Sequence, residues 1–362
     1  MKADLKRFYQ KNGFIVFGGA YSHYPLTNRS IPHLLNFSAS PYETTPQGDP
    51  LYGGTEPYKL LHNQYFELLS SQGYTINVLA NSLHFDYCSE SALVIDNCVE
   101  YAPSGMKRLK GSDLVLVDKL RVVFSHFLSL GYTFQGIRYA YDHFKGALSE
   151  MGIDLPPWNW GTRPLLMPLT SLEILDTLSK EIATLPRGNI VYSHLMIPHQ
   201  PYVLRSDCSL NPSPDQWKNN GDPTLEQKNT LSSREERYRL YFHQMKCVYR
   251  KLENIFDQMR KSGVYEDSII ILHGDHGSRI SRFEVRPKYL ERLSKSDLED
   301  EFSTLFAVKL PELKEHYSSR RQPIEDLLAK TIFPNMEIRS KTKELEPFFF
   351  MRGQGRKPIN FP

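Results

Sequence analysis

The sequence predicts an α/β protein in which helices cover both faces of a mostly parallel sheet. Strand-like apolar runs alternate along the chain with segments of helical periodicity. Several of these runs are apolar throughout, as in strands that are buried on both faces. Because ligands bind beyond the carboxyl ends of strands in such sheets, polar residues that directly follow an apolar run are the first candidates for a functional site.

The first half of the chain contains two predicted helix–strand units. The first helix is TEPYKLLHNQYFELLSSQGY, with Pro57 near its start and Gly73 at its end, and the strand TINVLAN follows it. The second helix is TSLEILDTLSKEIATL, which opens with the capping pair Thr170 and Glu173. It leads into the strand NIVYSH, which runs into a loop rich in His and Pro.

The most regular predicted helix is SSREERYRLYFHQMKCVYRKLENIFDQMRKSG. Ser233 and Glu236 form a predicted capping box, and Gly263 ends the helix. An apolar stripe at helical spacing indicates core packing rather than a cofactor site, and it consists of Tyr241, Met245, Val248, Leu252, Ile255 and Met259. Two further strands, SIIIL and STLFAVKL, follow this helix.

The length and composition predict one large domain with an appended tail. The chain has 362 residues, 40% of them hydrophobic, which is enough for a large core. We expect the domain to span residues 1–335. Residues 336–362 are charged and then aromatic, and we expect them to dock through Phe348, Phe349 and Phe350.

The charge balance argues against a nucleic-acid partner, and the hydropathy argues against a transmembrane segment or a signal peptide in this chain. The net charge of +3, with 23% charged residues, gives no electrostatic footprint for nucleic acid. No run of about 18 apolar residues is present, so we expect no transmembrane segment in this chain. The first residues, MKADLKRFYQKNGF, lack the apolar core of a signal peptide.

Four cysteines are too few for a disulfide scaffold. Cys88 and Cys98 lie close together in the sequence. They pair if the protein is exported, or they remain free thiols in a reducing compartment. The sequence leaves these two possibilities open.

The segment HGDHG is the strongest candidate for a site. Asp275 and His276 directly follow the apolar strand SIIIL. A carboxylate and an imidazole side by side can bind one divalent ion if the backbone turns sharply, and the flanking Gly274 and Gly277 permit that turn. The alternative is a solvated loop in which Asp275 caps a turn, but the position directly after an apolar strand favours the metal site.

Two other segments carry candidate residues. His194 and His199 lie in HLMIPHQPY beyond another strand end, where an imidazole either contacts an anionic group or has a structural role. Thr27 lies in HYPLTNRSIPHLLNF, just before a short helix, and the positive field of a helix N-terminus favours an attacking alkoxide or a bound phosphate. The alternative, which composition alone favours, is that Thr27 or Ser30 is an ordinary N-cap.

Taken in this order, the three segments resemble the sulfatase-like branch of the alkaline phosphatase superfamily. This branch includes arylsulfatases, phosphoethanolamine transferases and lipoteichoic acid synthases. TNRSIPHLLN is similar to the nucleophile block at Thr27, PHQPY to the H-x-P loop at His199, and HGDHG to the metal-binding strand end at Asp275 and His276. The resemblance covers residues 10–310 and implies an alkaline-phosphatase-like α/β/α sandwich.

The resemblance also implies a reaction. It implies a metal-dependent hydrolase or transferase that acts on phosphate or sulfate esters through a Thr27 nucleophile. One divalent ion is expected on Asp275, His276 and the Thr27 hydroxyl, where it lowers the pKa of that hydroxyl. Zinc, manganese, calcium and magnesium all remain open, because one carboxylate and one imidazole do not select among them.

The remaining candidates concern the ester itself. His199 is expected to hydrogen-bond the anion or to assist the leaving group, and His194 and Arg279 are weaker candidates for anion contacts. The alternative for Arg279 is a surface ion pair. The substrate is expected to be a small-molecule, lipid or glycan ester, and catalytic domains of this family are usually extracytoplasmic and membrane-tethered.

The sequence departs from the family pattern at two places. The formylglycine signature is absent, because its Pro and Arg are missing after Thr27, so Thr27 is expected to act unmodified, as in the phospho-transferases. The family's first strand, which carries an Asp or Glu ligand, is not found, since Asp4 lies in a polar, helix-like start. The domain therefore reads as incomplete at its N-terminus. We expect a metal site short of ligands and strands with unpaired edges, and the alternative function is a truncated, inactive binding module.

Overall fold

The computed structural model describes residues 2–38, 60, 62–81, 86–88, 94–101, 106–129, 147–148, 151, 167–212, 217, 230–334, 348–351 and 358–360. The helices in chain order are α1 Lys2–Lys11, α2 Thr27–Leu35, α3 Gln64–Ser71, α4 Met106–Lys110, α5 Leu116–Ser129, α6 Met167–Glu181, α7 Leu231–Lys261, α8 Lys295–Phe302 and α9 Ile324–Ile332. The strands are β1 Ile15–Tyr21, β2 Thr75–Asn81, β3 Asn97–Tyr101, β4 Asn189–His194, β5 Ile270–His273, β6 Phe306–Lys309, β7 Tyr317–Pro323, β8 Phe348–Phe350 and β9 Pro358–Asn360.

The strands form two larger sheets and one ribbon. One sheet has the order β5-β6-β1-β7, the other has the order β3-β2-β4, and β8 pairs with β9. β2 runs parallel to both of its neighbours, and β1 runs parallel to β7. β6 runs antiparallel to both β1 and β5, so β5 points the same way as β1. The predicted α/β class is confirmed, with β6 as the reversed strand.

Helices cover both faces of the sheet, as the apolar runs predicted. Along β6, Phe306 and Val308 pack into one hydrophobic cluster and Ala307 packs into another. The first cluster also contains buried residues of α2, α3 and α9, whereas the second contains residues of α1, α6 and α7. A strand buried between two helical layers explains why β6 is apolar at successive positions.

The predicted helix ends are confirmed where a glycine sets them. α3 and α7 each end just before a glycine in the left-handed region, Gly73 at φ +84° and Gly263 at φ +75°. A residue without Cβ adopts this conformation at low cost, which is why the sequence shows helix ends clearly. The apolar stripe of α7 is also core packing, with Val248, Ile255 and Met259 buried.

The predicted helix starts are wrong in three cases. α3 begins at Gln64, whereas Pro57 at the predicted start lies outside the described residues. Residues 62 and 63 are not helical, and the Asn63 side chain accepts a hydrogen bond from a backbone amide of the first turn. α6 begins before Thr170, because the apolar residues ahead of it are buried and extend the helix. α7 is capped by Thr230, whose side chain accepts from the amide of Ser233 at 3.1 Å, so Ser233 lies inside the helix. Several polar side chains near a helix start compete for the cap, and packing decides between them.

Four of the described strands are edge strands of the larger sheets, β5 and β7 in one sheet and β3 and β4 in the other. Among the described strands, β4 pairs with β2 alone and β5 pairs with β6 alone. Every residue of β4 and β5 is half-buried, although both segments are largely apolar. Every open sheet has two edge strands, so this arrangement does not test the expectation of edges left unpaired by a missing first strand.

Two disulfides bridge the cysteines. Cys88 is bonded to Cys98, which fixes residues 86–88 to β3, and Cys208 is bonded to Cys247, which fixes the loop after β4 to α7. The first bridge settles the question that the sequence left open, and the second was not predicted. Disulfides of this kind persist in oxidising compartments. Within the part of the chain that the structure describes, no helix combines the length and apolar character needed to cross a bilayer.

We expect the bridge with the longer loop to contribute more to stability. The two cysteines of each bridge are separated by 39 residues for Cys208–Cys247 and by 10 for Cys88–Cys98. Closing these loops reduces the entropy of the unfolded chain, which corresponds to roughly 4 and roughly 3 kcal/mol of stability. Urea unfolding of the two double Cys→Ala variants measures both values. Equal losses, or a larger loss for the Cys88–Cys98 variant, would contradict the loop-length argument.

Candidate functional site

Helix α2 places Thr27 at its first position. The N-cap is Leu26, whose side chain cannot cap, so neither Thr27 nor Ser30 is an N-cap and that alternative is wrong. Thr27 is 8% exposed, whereas Ser30, one turn further on, is fully buried. The Thr27 hydroxyl therefore lies in the positive field of the helix start without satisfying a backbone amide of its first turn.

The glycines of HGDHG permit close packing rather than a left-handed turn. Neither Gly274 nor Gly277 has a positive φ. A Cβ on Gly277 would overlap with the carbonyl oxygen of Asp300 at the end of α8, and a Cβ on Gly274 would overlap with the Thr304 hydroxyl. The amide of Gly277 donates to the carbonyl of Glu301 at 2.9 Å. The backbone of α8 therefore holds the HGDHG loop directly.

The side chains of Thr27, Asp275 and His276 converge on one point. His276 Nε2 lies 3.3 Å from Thr27 Oγ1 and 3.5 Å from Asp275 Oδ2. His276 Nδ1 lies 2.7 Å from the carbonyl oxygen of Gly277, which can only accept, so Nδ1 carries the proton. In the neutral imidazole the Nε2 lone pair then faces the other two side chains. Asp275 Oδ2 is buried and accepts no hydrogen bond from the residues that the structure describes.

Ser30 connects the two halves of this cluster. Its hydroxyl donates to the backbone carbonyl of Asp275, 245 residues away in the sequence. The Ser22 hydroxyl lies 2.9 Å from the Ser30 hydroxyl and ties it to the end of β1. From the sequence, Ser30 was predicted at most to be a cap. Its place in a helix next to a predicted nucleophile was the one available signal.

The protonation states suit cation binding. Burial raises the pKa of Asp275, but His276, His194 and the Thr27 hydroxyl together hold that pKa well below its usual range. Burial lowers the pKa of His194, so its imidazole is neutral near pH 7. Because His276 Nδ1 faces a carbonyl, Nε2 is the nitrogen that can coordinate a metal beside the Asp275 carboxylate once it is unprotonated.

The donor set fits part of a metal site. Among the described residues, no group of three or more His, Cys, Asp or Glu side chains is arranged to hold a metal ion. Asp275 and His276, with the Thr27 hydroxyl, supply three donors at most. Zinc usually takes four ligands, and calcium takes six or more. Further ligands would have to come from water, substrate or another segment.

His194 lies at the end of β4 and bonds to a tyrosine that the sequence analysis missed. Its Nδ1 is 2.7 Å from the hydroxyl of Tyr87, which is fully buried next to the Cys88–Cys98 bridge. His194 is also within electrostatic reach of Asp275. The ends of β4 and β5 therefore meet at the same site.

His199 and Arg279 form a second pair. Arg279 Nη2 donates to His199 Nε2 at 2.6 Å, and His199 Nδ1 donates to the carbonyl of Gln200 at 2.5 Å. Because a guanidinium only donates and a carbonyl only accepts, His199 is a neutral imidazole in this arrangement. Arg279 has φ +55°, an uncommon conformation for a residue with a side chain, and the hydrogen bond from its amide to Asp300 stabilises it. In this contact the partner of Arg279 is a neutral imidazole, and not the carboxylate that a surface ion pair would require.

Gln244 positions the loop that carries His199. Gln244 lies on α7, is fully buried, and donates to the carbonyl of His199 at 2.9 Å. Its side-chain oxygen accepts from the amides of Val203 and Leu204. Sequence analysis missed this residue, although a polar side chain on the buried side of a helix requires a partner and was a usable signal.

Comparison with protein families identifies the class of the chain. The family model described as Sulfatase matches residues 4–306, which contain Thr27, His199, Asp275 and His276. The chain belongs to this family. No curated protein sequence matches it.

Comparison with solved structures supports the fold. The C-terminal periplasmic domain of EcEptC from Escherichia coli in complex with Zn has a TM-score of 0.53 at 10% identity, over 99% of this chain and 85% of that chain. A 2-O GAG sulfatase has a TM-score of 0.50 at 11% identity, over 89% and 63%. Ps i-CgsB in complex with k-i-k-neocarrahexaose has a TM-score of 0.45 at 12% identity, over 91% and 65%, so the chain spans less than two thirds of these last two proteins. The predicted alkaline-phosphatase-like α/β/α sandwich is confirmed.

The two glycines of the loop are expected to differ in their tolerance of a side chain. In Gly277→Ala the new methyl group meets backbone atoms of Asp300, which cannot move alone, so we expect a loss of about 1–3 kcal/mol. In Gly274→Ala it meets only the Thr304 hydroxyl, which can rotate away or be removed by Thr304→Ala. Thermal unfolding of Gly274→Ala and Gly277→Ala, each with and without Thr304→Ala, measures these losses. A rescue of Gly277→Ala by Thr304→Ala, or equal losses for both glycines, would contradict the packing argument.

Proposed function

We propose that this chain is a metal-dependent hydrolase or transferase of phosphate or sulfate esters with Thr27 as its nucleophile. Membership of the Sulfatase family supports chemistry at a phosphate or sulfate ester. One observation carries the proposal of a Thr27 nucleophile and a metal: Thr27 Oγ1 lies 3.3 Å from His276 Nε2. Beside this contact, the buried Asp275 Oδ2 accepts no hydrogen bond from the described residues. A buried carboxylate oxygen without a hydrogen bond, beside a hydroxyl at a helix N-terminus, is a position that a cation can satisfy.

Asp275, His276 and Thr27 are the residues proposed to hold the metal. A divalent cation bound there would lower the pKa of the Thr27 hydroxyl and neutralise charge on the ester oxygens. The helix start at Thr27 adds a positive field for the anion. The chain's own contribution is to fix the Thr27 oxygen beside the carboxylate and to keep His276 in the tautomer whose Nε2 is a lone pair.

The proposed reaction has two steps. The Thr27 oxygen forms a bond to phosphorus or sulfur while the bond from that atom to the leaving oxygen breaks, and the leaving group takes a proton. Water or a second alcohol then attacks the same atom, which releases Thr27 and gives hydrolysis or transfer. In the first step the proton lost by Thr27 balances the proton gained by the leaving group, and in the second step the proton of the attacking water or alcohol returns to the Thr27 oxygen.

Arg279 is proposed to bind the ester anion, and His199 is proposed to protonate the leaving group. In the structure the guanidinium of Arg279 occupies the Nε2 lone pair of His199. An incoming ester anion offers that guanidinium stronger, charge-assisted hydrogen bonds. His199 Nε2 is then released to take up a proton and deliver it to the leaving oxygen. His194 is proposed as a further contact to the anion, held by Tyr87.

The substrate class and location also remain proposals. An unmodified threonine favours phosphate over sulfate esters, and the solved structures that are similar to this chain include the periplasmic domain of EcEptC in complex with Zn and a 2-O GAG sulfatase. We therefore propose a lipid or glycan phosphate ester as substrate. The two disulfides support a place outside the reducing cytoplasm.

A second candidate function is a binding module without catalysis. The incomplete donor set among the described residues favours it, because two protein ligands and a hydroxyl bind a divalent ion weakly. Such a protein would keep the anion contacts of His199 and Arg279 and bind an ester without turning it over.

Thr27→Ala is expected to reduce turnover of an aryl phosphate ester by at least roughly a thousandfold, because removal of a nucleophile leaves only binding and charge stabilisation. Thr27→Ser keeps the hydroxyl and serves as the matched control with partial activity. Initial rates with 4-nitrophenyl phosphate, bis(4-nitrophenyl) phosphate and 4-nitrophenyl sulfate measure this, and the sulfate should be the poorest substrate of the wild type. Undiminished turnover by Thr27→Ala would exclude the covalent mechanism, and binding without turnover by the wild type would favour the module.

A further inference from the structure

The C-terminal ribbon lies beyond the part of the chain that the family model covers. We use this name for β8 with Met351 and for its partner β9. The Sulfatase model ends at residue 306, so the ribbon is not explained by the family match. Phe349, Phe350 and Met351 are nevertheless almost fully buried, with exposures of 3%, 2% and 4%. Large apolar side chains so well buried near a chain end indicate a structural connection rather than a loose tail.

One side of the ribbon contacts the segment that delivers Thr27. The amide of Phe350 donates to the carbonyl of His23 at 2.9 Å. The Phe350 ring stacks on Tyr24 with centroids 5.0 Å apart and an interplanar angle of 12°, and the Tyr24 ring lies 4.1 Å from the ring of His33 on α2. A continuous row of aromatic rings therefore runs from the ribbon to the helix that begins at Thr27.

The other side of the ribbon contacts the helix that holds the HGDHG loop. The ring centroid of Phe349 lies 4.4 Å from that of Phe302, the last residue of α8. Just before Phe302, the carbonyls of Asp300 and Glu301 accept the amides of Arg279 and Gly277. Phe349 therefore packs behind the backbone atoms that position the second half of the site.

We infer that the C-terminal ribbon is a positioning element for the candidate site, with Phe350 setting α2 and Phe349 setting the end of α8. The inference rests on the proposed function for its catalytic consequence. Neither Phe349 nor Phe350 contacts the reacting atoms, so both act through other residues. No side chain caps the start of α2. The direction of this helix therefore depends strongly on the packing of Phe350 on Tyr24 and of Tyr24 on His33.

Loss of the Phe350 ring should displace Thr27 without unfolding the chain. Removing the ring leaves a cavity under Tyr24, into which the loop from β1 to α2 can relax. A shift of about 1 Å in a reacting group lowers a rate by roughly a hundredfold. Ground-state binding through His199 and Arg279 would change little, because these residues lie on the loops after β4 and β5 and not on the segment between β1 and α2.

The test compares Phe350→Ala with Phe8→Ala in the full chain. Phe8 is also buried, but its ring contacts are with Tyr9, Tyr249 and Phe256 in the second hydrophobic cluster. We expect both variants to lose thermal stability, whereas only Phe350→Ala lowers kcat, by roughly a hundredfold, with KM changed by less than about threefold. Phe350→Leu, which refills most of the volume, should recover most of kcat. Equal loss of kcat in Phe8→Ala, or full kcat in Phe350→Ala, would overturn the inference.

Hydrogen exchange tests the ribbon independently of activity. In Phe350→Ala, backbone amides of residues 22–35 should exchange at least about tenfold faster than in the wild type, because local packing sets the free energy of local opening. In Phe8→Ala the same amides should exchange faster only to the extent that the whole chain is less stable, as measured by the amides that exchange through global unfolding. If the wild type turns over none of the three aryl esters, the proposed function fails and hydrogen exchange alone tests the positioning role. Unchanged exchange over residues 22–35 in Phe350→Ala would then reject the positioning role.

Discussion

The hydrogen bond from the Ser30 hydroxyl to the backbone carbonyl of Asp275 is the interaction on which the site depends. It joins the helix that begins at Thr27 to the strand end that carries His276, across 245 residues of sequence. Ser30 lies one helical turn from Thr27, so this bond sets the distance from the hydroxyl to the imidazole. The close approach of Gly277 to α8 fixes the other side of the same loop. The geometry of the site is thus determined by backbone contacts rather than by the candidate side chains themselves.

Residues at strand ends were predictable from the sequence because polar side chains directly after an apolar run stand out. Asp275 and His276 were identified in this way, whereas Thr27 was identified from its position before a short helix and from the family resemblance. The structure brings the three together, although their chemical roles remain proposals. The starts of α6 and α7 were wrong because several side chains can cap a helix and packing decides which one does. The reversal of β6 leaves no trace in periodicity, since a strand buried on both faces has the same pattern in either direction.

The positioning residues were the least visible part of the site. Gln244 appears in the sequence as one polar residue on a mostly polar helix, and its contacts with the His199 loop depend on tertiary structure. The neutral state of His199 likewise follows from Arg279, which lies 80 residues away. The site therefore combines the Asp275 carboxylate, the neutral imidazoles of His194 and His199, and the Arg279 guanidinium. These forms suit a cation beside Asp275 and an anion beside Arg279.

Anomalous diffraction from crystals grown with Zn²⁺ or Mn²⁺ tests the central claim most directly. The account predicts an anomalous peak about 2.0–2.3 Å from His276 Nε2 and an Asp275 oxygen, with the Thr27 hydroxyl in the same coordination sphere. The peak should disappear in His276→Ala crystals grown under the same conditions. An ordered metal bound elsewhere in the chain, with Asp275 and His276 free of metal at saturating Zn²⁺ and Mn²⁺, would contradict the account.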